Sequence, residues 1–123
     1  MICSTQELPV DFLDSLSKVL TKNRRNEWVE HSAIKVYLRI GRRYLDGELR
    51  LCLDMASVEI APRFQGRGWF SLLMEFLCVR TPTDYVYIEN TLNPILKDWC
   101  IRHGWVADNV PLCFYKKVHG EEV

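Results

Sequence analysis

The chain has no net charge. Its 16 Lys and Arg residues balance its 16 Asp and Glu residues, which gives a formal net charge of +0. Such a protein has no overall field that would draw it to a nucleic acid or to an acidic membrane. Residues 22–50 carry eight basic side chains against four acidic ones, a local bias that is typical of a solvated sheet face and loop and also leaves a phosphate contact open.

Metal-site and disulfide patterns are also missing. The five cysteines are an odd number without a Cys-x-x-Cys pair, and only Cys100 has a histidine close by, His103. This pattern argues against a zinc site and favours reduced thiols, as in cytosolic proteins. No basic segment followed by an apolar one lies near Met1, and the longest apolar helix pattern is interrupted by Glu75. We therefore expect a soluble, cytoplasmic protein that needs no metal.

What the sequence does contain is one set of helix and strand patterns. The 123 residues are 48% hydrophobic, enough for one core and too few for two, so we expect a single domain over residues 1–123. Helical and strand periods alternate along the chain, and Asp46-Gly47 predicts a hairpin turn. The predicted elements are a helix over 10–23, a polar loop over 23–30, strands from Ile34 and from Glu48, a helix over 69–79, a strand over 84–89, a helix between Asn93 and Gly104, and a strand over 112–118.

The strand that begins at Glu48 changes its phase. Residues 49–55 alternate in one phase, whereas Val58 and Ile60 are in the other. One extra residue near Ala56, a β-bulge, would cause this shift and would leave backbone N–H and C=O groups unpaired. Two short strands joined by a tight bend are the alternative, but the interval contains no Gly, Pro, Asn or Asp.

The segment Arg63-Phe64-Gln65-Gly66-Arg67-Gly68 links this strand to the helix that begins near Trp69. Its two glycines let the backbone approach a ligand closely. The helix adds unpaired N–H groups and the positive end of its dipole. The pattern predicts an anion site that would fit a pyrophosphate, with a plain tight turn as the alternative.

A dinucleotide-binding fingerprint fits the same segment less well. Gly66, Gly68 and Ser71 approximate G-x-G-x-x-G/A, and Glu89 lies near the spacing of a ribose-binding acid. In that fold the strand runs almost directly into the first glycine, whereas residues 62–65 intervene here. The end of the chain also has sequence for only one more strand, too little to complete a doubly wound sheet.

A second motif begins at Asn93 and closes at Gly104-Trp105. Asn93 is a favourable N-cap, and Pro94 suits the first helical position. Gly104 suits the left-handed residue that ends a helix, and His103 beside it complements the helix dipole.

Together the two motifs resemble those of the GNAT superfamily, whose members transfer an acyl group from acyl-CoA to an amine. The resemblance covers roughly residues 48–118 and implies an α/β fold of the α+β type. Its mixed central sheet would be mostly antiparallel with a splayed parallel pair, flanked by helices. The N-terminal half is shortened, so one strand or helix of the family is expected to be missing. The implied co-substrate is acetyl-CoA, and its implied contacts are Val58, Ile60, Arg63, Phe64, Gln65, Gly66, Arg67, Gly68 and Asn93.

The resemblance also implies where the base and the acid would lie. Glu89, at the end of a strand, matches a position from which some members deprotonate the amine, and Asp54 and Glu59 on the bulged strand are alternatives. The family's usual acid is a Tyr seven residues after the motif Asn, where this chain has Cys100. A thiol with an ordinary pKa of about 8.5 can protonate a CoA thiolate, although the residue alone is better explained as a buried core cysteine. Tyr115 is the alternative acid.

The function implied is that of an acetyl-CoA-dependent N-acetyltransferase that acts by direct transfer in a ternary complex. A GNAT-like module that binds acyl-CoA with little or no turnover stays open, as does an adaptor that contacts a macromolecule through residues 22–50. The acceptor amine could belong to a small molecule, a protein or an aminoacyl-tRNA. Neither a membrane nor free nucleic acid is expected as a partner, and a homodimer is left open.

Overall fold

A computed structural model describes residues 8–22, 26–31, 33–62, 68–89, 91 and 93–119. Over these residues the chain forms three helices and six strands. In chain order they are α1 (Val10–Lys22), β1 (Asn26–His31), β2 (Ile34–Leu45), β3 (Glu48–Ile60), α2 (Trp69–Arg80), β4 (Tyr85–Ile88), α3 (Pro94–Arg102), β5 (Val106–Ala107) and β6 (Phe114–Lys117). In the described ranges, no helix combines the length and the apolar composition that crossing a membrane requires.

The strands form one mixed sheet in the order β1-β2-β3-β4-β6-β5. Only β3 and β4 are parallel, while every other neighbouring pair in the described sheet is antiparallel. The predicted α+β fold with a mixed, mostly antiparallel sheet is therefore confirmed. The parallel pairing runs from Cys52 opposite Tyr85 to Met55 opposite Ile88.

The predicted β-bulge is confirmed. Leu38 of β2 pairs with Met55 of β3, but Tyr37 pairs with Ser57, so Ala56 is the extra residue. The bulge follows directly after the last parallel pair, and this is where β3 and β4 separate. One unpaired residue thus explains both the change of phase in the sequence and the opening in the sheet.

Strand β1 corrects the prediction of a loop over residues 23–30. It pairs with β2 from Asn26 opposite Arg39 to His31 opposite Ile34. Val29 is its one buried residue among those described, and Trp28 packs against Tyr37 across the strands with ring centroids 4.8 Å apart. An edge strand that buries a single side chain gives no alternating apolar signal, so the polar composition concealed it.

The two faces of the sheet have different compositions because successive side chains of a strand point to opposite sides. One face packs against the helices in an apolar core that includes Leu16 of α1, Leu53 of β3 and Leu73 of α2. The opposite face carries a smaller buried cluster: Leu45, Cys52, Tyr85, Tyr87, Cys113 and Tyr115. Charged side chains of β2 and β3 share that second face.

The predicted hairpin turn is confirmed at Asp46 and Gly47, whose φ angles are 55° and 80°. The carboxylate of Asp46 also accepts hydrogen bonds from two buried hydroxyls, that of Tyr85 at 3.2 Å and that of Tyr115 at 2.7 Å. These two hydrogen bonds connect the turn to β4 and β6, in addition to the two strands of its own hairpin.

We expect Asp46→Ala to lower the free energy of unfolding by about 1–3 kcal/mol, because two buried hydroxyls lose a charged acceptor. Asp46→Asn keeps one acceptor oxygen and tolerates the left-handed backbone, so it should cost clearly less. Urea unfolding of both variants checks this expectation. Equal stability of Asp46→Ala and the wild type would show that the two hydroxyls contribute nothing through the turn.

Candidate active site

The candidate site lies where β3 and β4 separate. The backbone N–H of Glu89, just past β4, donates to the carbonyl of Met55 at 3.2 Å, which closes the parallel pairing. Beyond that point Val58 and Ile60 pair with β2. In the described sheet the pairing of β3 with β4 ends at Met55 and Ile88, so the opening lies beside this part of β3. Contacts of Val58 and Ile60 with acetyl-CoA stay predictions.

Most of the predicted pyrophosphate loop lies outside the described residues. Arg63, Phe64, Gln65, Gly66 and Arg67 therefore keep their predicted roles as predictions. Gly68, the next residue and the N-cap of α2, has a φ of 81°, in the left-handed region that glycine adopts readily. A Cβ built on it would meet no heavy atom within 4 Å. This residue, Gly68, has no side chain to cap the first amides of α2, and such amides suit an anion.

Four charged side chains meet on the second face of the sheet beside this opening. Arg39 donates from Nη2 to Oε2 of Glu89 at 2.6 Å, and Arg43 donates from Nη2 to the same oxygen at 2.7 Å. Arg43 also donates to Oδ2 of Asp54 at 2.7 Å, and Arg39 lies 3.8 Å from that oxygen. We name these residues, Arg39, Arg43, Asp54 and Glu89, the charge cluster.

Aromatic rings hold the two arginines in place. The guanidinium of Arg43 lies 4.0 Å from the ring centroid of Tyr87, and that of Arg39 lies 5.8 Å from the ring centroid of Tyr37. The hydroxyl of Tyr87 donates to the carboxylate of Asp108, which anchors that ring. Both guanidiniums are therefore positioned from two sides, by carboxylates and by ring faces.

The two carboxyl groups of the charge cluster differ strongly in basicity. Burial, together with the hydrogen bond that its protonated form donates to Glu89, raises the pKa of Asp54 to about 7, against the opposing effect of Arg43. That same hydrogen bond, together with Arg39 and Arg43, lowers the pKa of Glu89 against the effect of burial. Asp54 therefore carries the proton of the pair, and at neutral pH it is close to half ionised.

Asp54 has a second property that suits a proton acceptor. The residue is only 5% exposed, and its Oδ1 atom has no hydrogen-bond partner among the described residues. A buried carboxylate oxygen usually has a partner, so an unpaired one is unusual and marks Asp54 as a candidate functional residue.

Cys100 lies elsewhere. It is 0% exposed and belongs to the core on the helix side of the sheet, whereas the charge cluster lies on the other side. Burial raises the pKa of its thiol to about 11. This buried position is typical of a packing residue, and a catalytic role for Cys100 stays a prediction.

Three further residues were predicted from the sequence: Asn93, Tyr115 and Glu59. The side chain of Asn93 accepts from the backbone N–H of Ile95 at 2.9 Å and so caps α3, which confirms the predicted N-cap. Its contact with acetyl-CoA stays a prediction. The hydroxyl of Tyr115 is bound to the hairpin turn, and burial raises its pKa to about 12. Glu59 is exposed on β3 beyond the bulge.

Sequence reasoning missed the two arginines of the charge cluster. A two-residue turn fixes the register of a hairpin, and counting back from Asp46-Gly47 places Arg39 opposite Asp54. Arg43 lies four residues further along the same strand and therefore on the same face. That signal was present in the sequence.

Comparison with known proteins supports the fold. No family model matches the chain, and no curated protein matches its sequence. A tyrosine-to-phenylalanine mutant of KacT has a TM-score of 0.59 and 14% identity, with 88% of this chain and 80% of that chain covered. AtaT complexed with acetyl-methionyl-tRNAfMet has a TM-score of 0.57 and 12% identity, with 90% and 84% covered.

A third similar structure is an AtaT mutant toxin bound to the C-terminus of the antitoxin AtaR and acetyl-CoA. It has a TM-score of 0.56 and 13% identity; 70% of this chain is covered, but the chain spans only 59% of that protein. KacT and AtaT are GNAT acetyltransferases, so the predicted GNAT fold is confirmed for this chain. Identities this low establish the fold alone.

Proposed function

We propose that the chain is an N-acetyltransferase that moves an acetyl group from acetyl-CoA to an amine by direct transfer in a ternary complex. One observation carries the proposal. A buried carboxyl group with a raised pKa, that of Asp54, lies beside the point where the parallel strands of a GNAT fold separate. Perturbed carboxyl groups of this kind are typical of functional sites.

Acetyl-CoA would be held by backbone groups for the most part. Residues 63–68 and the N-terminus of α2 would bind the pyrophosphate, and the part of β3 beyond the bulge, at Val58 and Ile60, would bind the pantetheine arm. The bulge at Ala56 leaves backbone groups unpaired, and an N–H there would polarise the thioester carbonyl. Asp54 lies two residues before the bulge on the same strand.

Asp54 would act as the general base. In its ionised form it takes a proton from the amine as the nitrogen attacks the thioester carbonyl carbon. A C–N bond forms, the C–S bond breaks, and the CoA thiolate takes a proton from water. A base is most effective when its pKa lies near the working pH, and the pKa of Asp54 is about 7. Glu89 stays ionised, and its charge keeps the pKa of Asp54 raised.

Glu89→Gln distinguishes the two carboxylates. If Asp54 is the base, the loss of the neighbouring negative charge lowers the pKa of Asp54, since Arg43 remains beside it. The rising limb of the pH–rate profile should then move to lower pH, with turnover at pH 8 within about tenfold of the wild type. If Glu89 is the base, turnover should fall by roughly 100-fold or more at every pH. Asp98→Asn removes an exposed carboxylate of α3 and serves as the control.

A second candidate function is acyl-CoA binding without turnover. It is favoured by the buried thiol of Cys100 at the position where the family usually has an acidic Tyr hydroxyl. Calorimetry with acetyl-CoA tests binding, and release of free CoA in the presence of amines tests transfer. Binding with no release by any amine would select this second function, and no binding would reject both.

The amines to be tested as acceptors are chosen from the similar structures and from the chemistry of acetyl transfer. AtaT was solved with acetyl-methionyl-tRNAfMet, so an aminoacyl-tRNA belongs in the panel. A peptide with a free N-terminus, a peptide with a single lysine and small amines complete it. An adaptor that uses residues 22–50 without acetyl-CoA would show neither binding nor release.

A further inference from the structure

We infer that Arg39 and Arg43 make the site selective for a weakly basic α-amine and against the strongly basic amine of a lysine side chain or a polyamine. The inference rests on the proposed acetyl transfer and adds the chemical class of the acceptor. An α-amine in this sense is a primary amine on the carbon next to a carbonyl group. Such an amine is found on amino-acid amides, on protein N-termini and on aminoacyl-tRNA.

The charge cluster opposes the approach of an ammonium group. Arg39 and Arg43 contribute two positive charges, Glu89 contributes one negative charge, and protonated Asp54 contributes none, which leaves an excess of one positive charge (2 − 1 = 1). When Asp54 ionises, the cluster becomes neutral (2 − 2 = 0) and not negative. The side chains of Arg39 and Arg43 are 41% and 32% exposed, so an ammonium group that approaches from solvent meets their positive charge.

Asp54 is also too weak a base to deprotonate the ammonium group of a lysine side chain. An α-amine has an ordinary pKa of about 7.7–8.0, whereas the lysine amine has one of about 10.4. At pH 7.5 roughly a third of α-amines are neutral, compared with about 0.1% of lysine amines. Among the described residues, the groups facing Asp54 are Arg39 and Arg43 of β2, Glu89 after β4, Cys52 two residues earlier on β3, and Tyr87 opposite Asp54 on β4. The arginines are the positive charges among these groups, and they set the preference for an amine that arrives neutral.

Competition between two small acceptors tests the inference. Alaninamide presents only an α-amine, and N-acetyl-lysinamide presents only a side-chain amine. At pH 7.5 we expect kcat/KM to favour alaninamide by about 100-fold or more. Arg39→Gln and Arg43→Gln should each narrow this ratio at least about tenfold, whereas Arg39→Lys keeps the charge and should preserve it.

The control is Arg42→Gln. Arg42 lies between the two arginines in sequence but on the other side of β2, opposite Leu51. Its replacement by Gln therefore removes one positive charge, as Arg39→Gln and Arg43→Gln do, but leaves the charge cluster unchanged. Its selectivity ratio should equal that of the wild type. Equal kcat/KM for the two acceptors, or a ratio that Arg39→Gln and Arg43→Gln leave unchanged in folded protein, would overturn the inference.

A binding readout separates this inference from the proposed function. If the wild type acetylates neither acceptor, the proposed function fails, and selectivity is read instead from the carboxyl carbon resonance of Asp54 by NMR. Alaninamide should perturb that resonance at a lower concentration than N-acetyl-lysinamide does, and an equal or reversed order would overturn the inference. Further arms with a peptide N-terminus and an aminoacyl-tRNA show which source of α-amine gives the highest kcat/KM.

Discussion

Asp54→Asn should lower the rate of acetyl transfer by about 10²–10⁴-fold while acetyl-CoA binding is retained. Asparagine has nearly the same shape as aspartate and cannot accept the proton of the amine. In the wild type, the rate should rise with pH through about 7 as Asp54 ionises, and this rising limb should be lost in the variant. Stopped-flow release of CoA over pH 5.5–9 (roughly the range that brackets this pKa) measures both effects.

Stability gives a second measurement on the same variant. Because the pKa of Asp54 is raised in the folded state from 3.8 to about 7, its protonated form stabilises the fold at low pH, and this contribution is lost as the pH rises through about 7. Asp54→Asn should therefore gain stability relative to the wild type as the pH rises from about 4 to about 7, the window between the two pKa values. Asp98→Asn, which alters an exposed carboxylate of α3, should show no such trend. An Asp54→Asn protein with wild-type turnover would remove Asp54 from the mechanism.

Gly66→Asp should weaken acetyl-CoA binding by about 100-fold or more, because it would set a negative charge against the pyrophosphate at the predicted anion site. Gly66 lies outside the described residues, so the prediction comes from the sequence motif and from the α2 N-terminus that follows it at Gly68. Gly66→Asn adds a side chain of the same size without the charge and separates the steric from the electrostatic effect. Calorimetry measures both affinities, and unchanged binding in folded Gly66→Asp would exclude the loop as the pyrophosphate site.

Local chemistry made much of the fold predictable. The turn at Asp46-Gly47 requires left-handed backbone, the cap at Asn93 requires a side-chain acceptor, and the bulge at Ala56 shows as a change of phase. Each of these signals is contained within a few residues. Strand β1 gave no such signal, because its pairing partner and not its own composition makes it a strand.

The candidate site was less accessible to sequence reasoning. Asp54 and Glu89 were both candidates, but their order of basicity depends on burial and on arginines that are brought to them by the pairing of β2, β3 and β4. The motif position of Cys100 was visible in the sequence, whereas its complete burial was not. Long-range contacts of this kind follow from the sheet register, which the hairpin turn fixes for β2 and β3 only.

A crystal structure with acetyl-CoA bound would show which carboxylate lies beside the thioester. We expect the pantetheine arm to lie between β3 and β4 beyond Met55, with the pyrophosphate at residues 63–68. The thioester carbonyl should face the backbone beside Ala56, and Asp54 should be the carboxylate that an attacking amine reaches. Acetyl-CoA bound away from this opening, or a thioester that faces Cys100 on the helix side with Asp54 out of reach, would contradict the proposed mechanism.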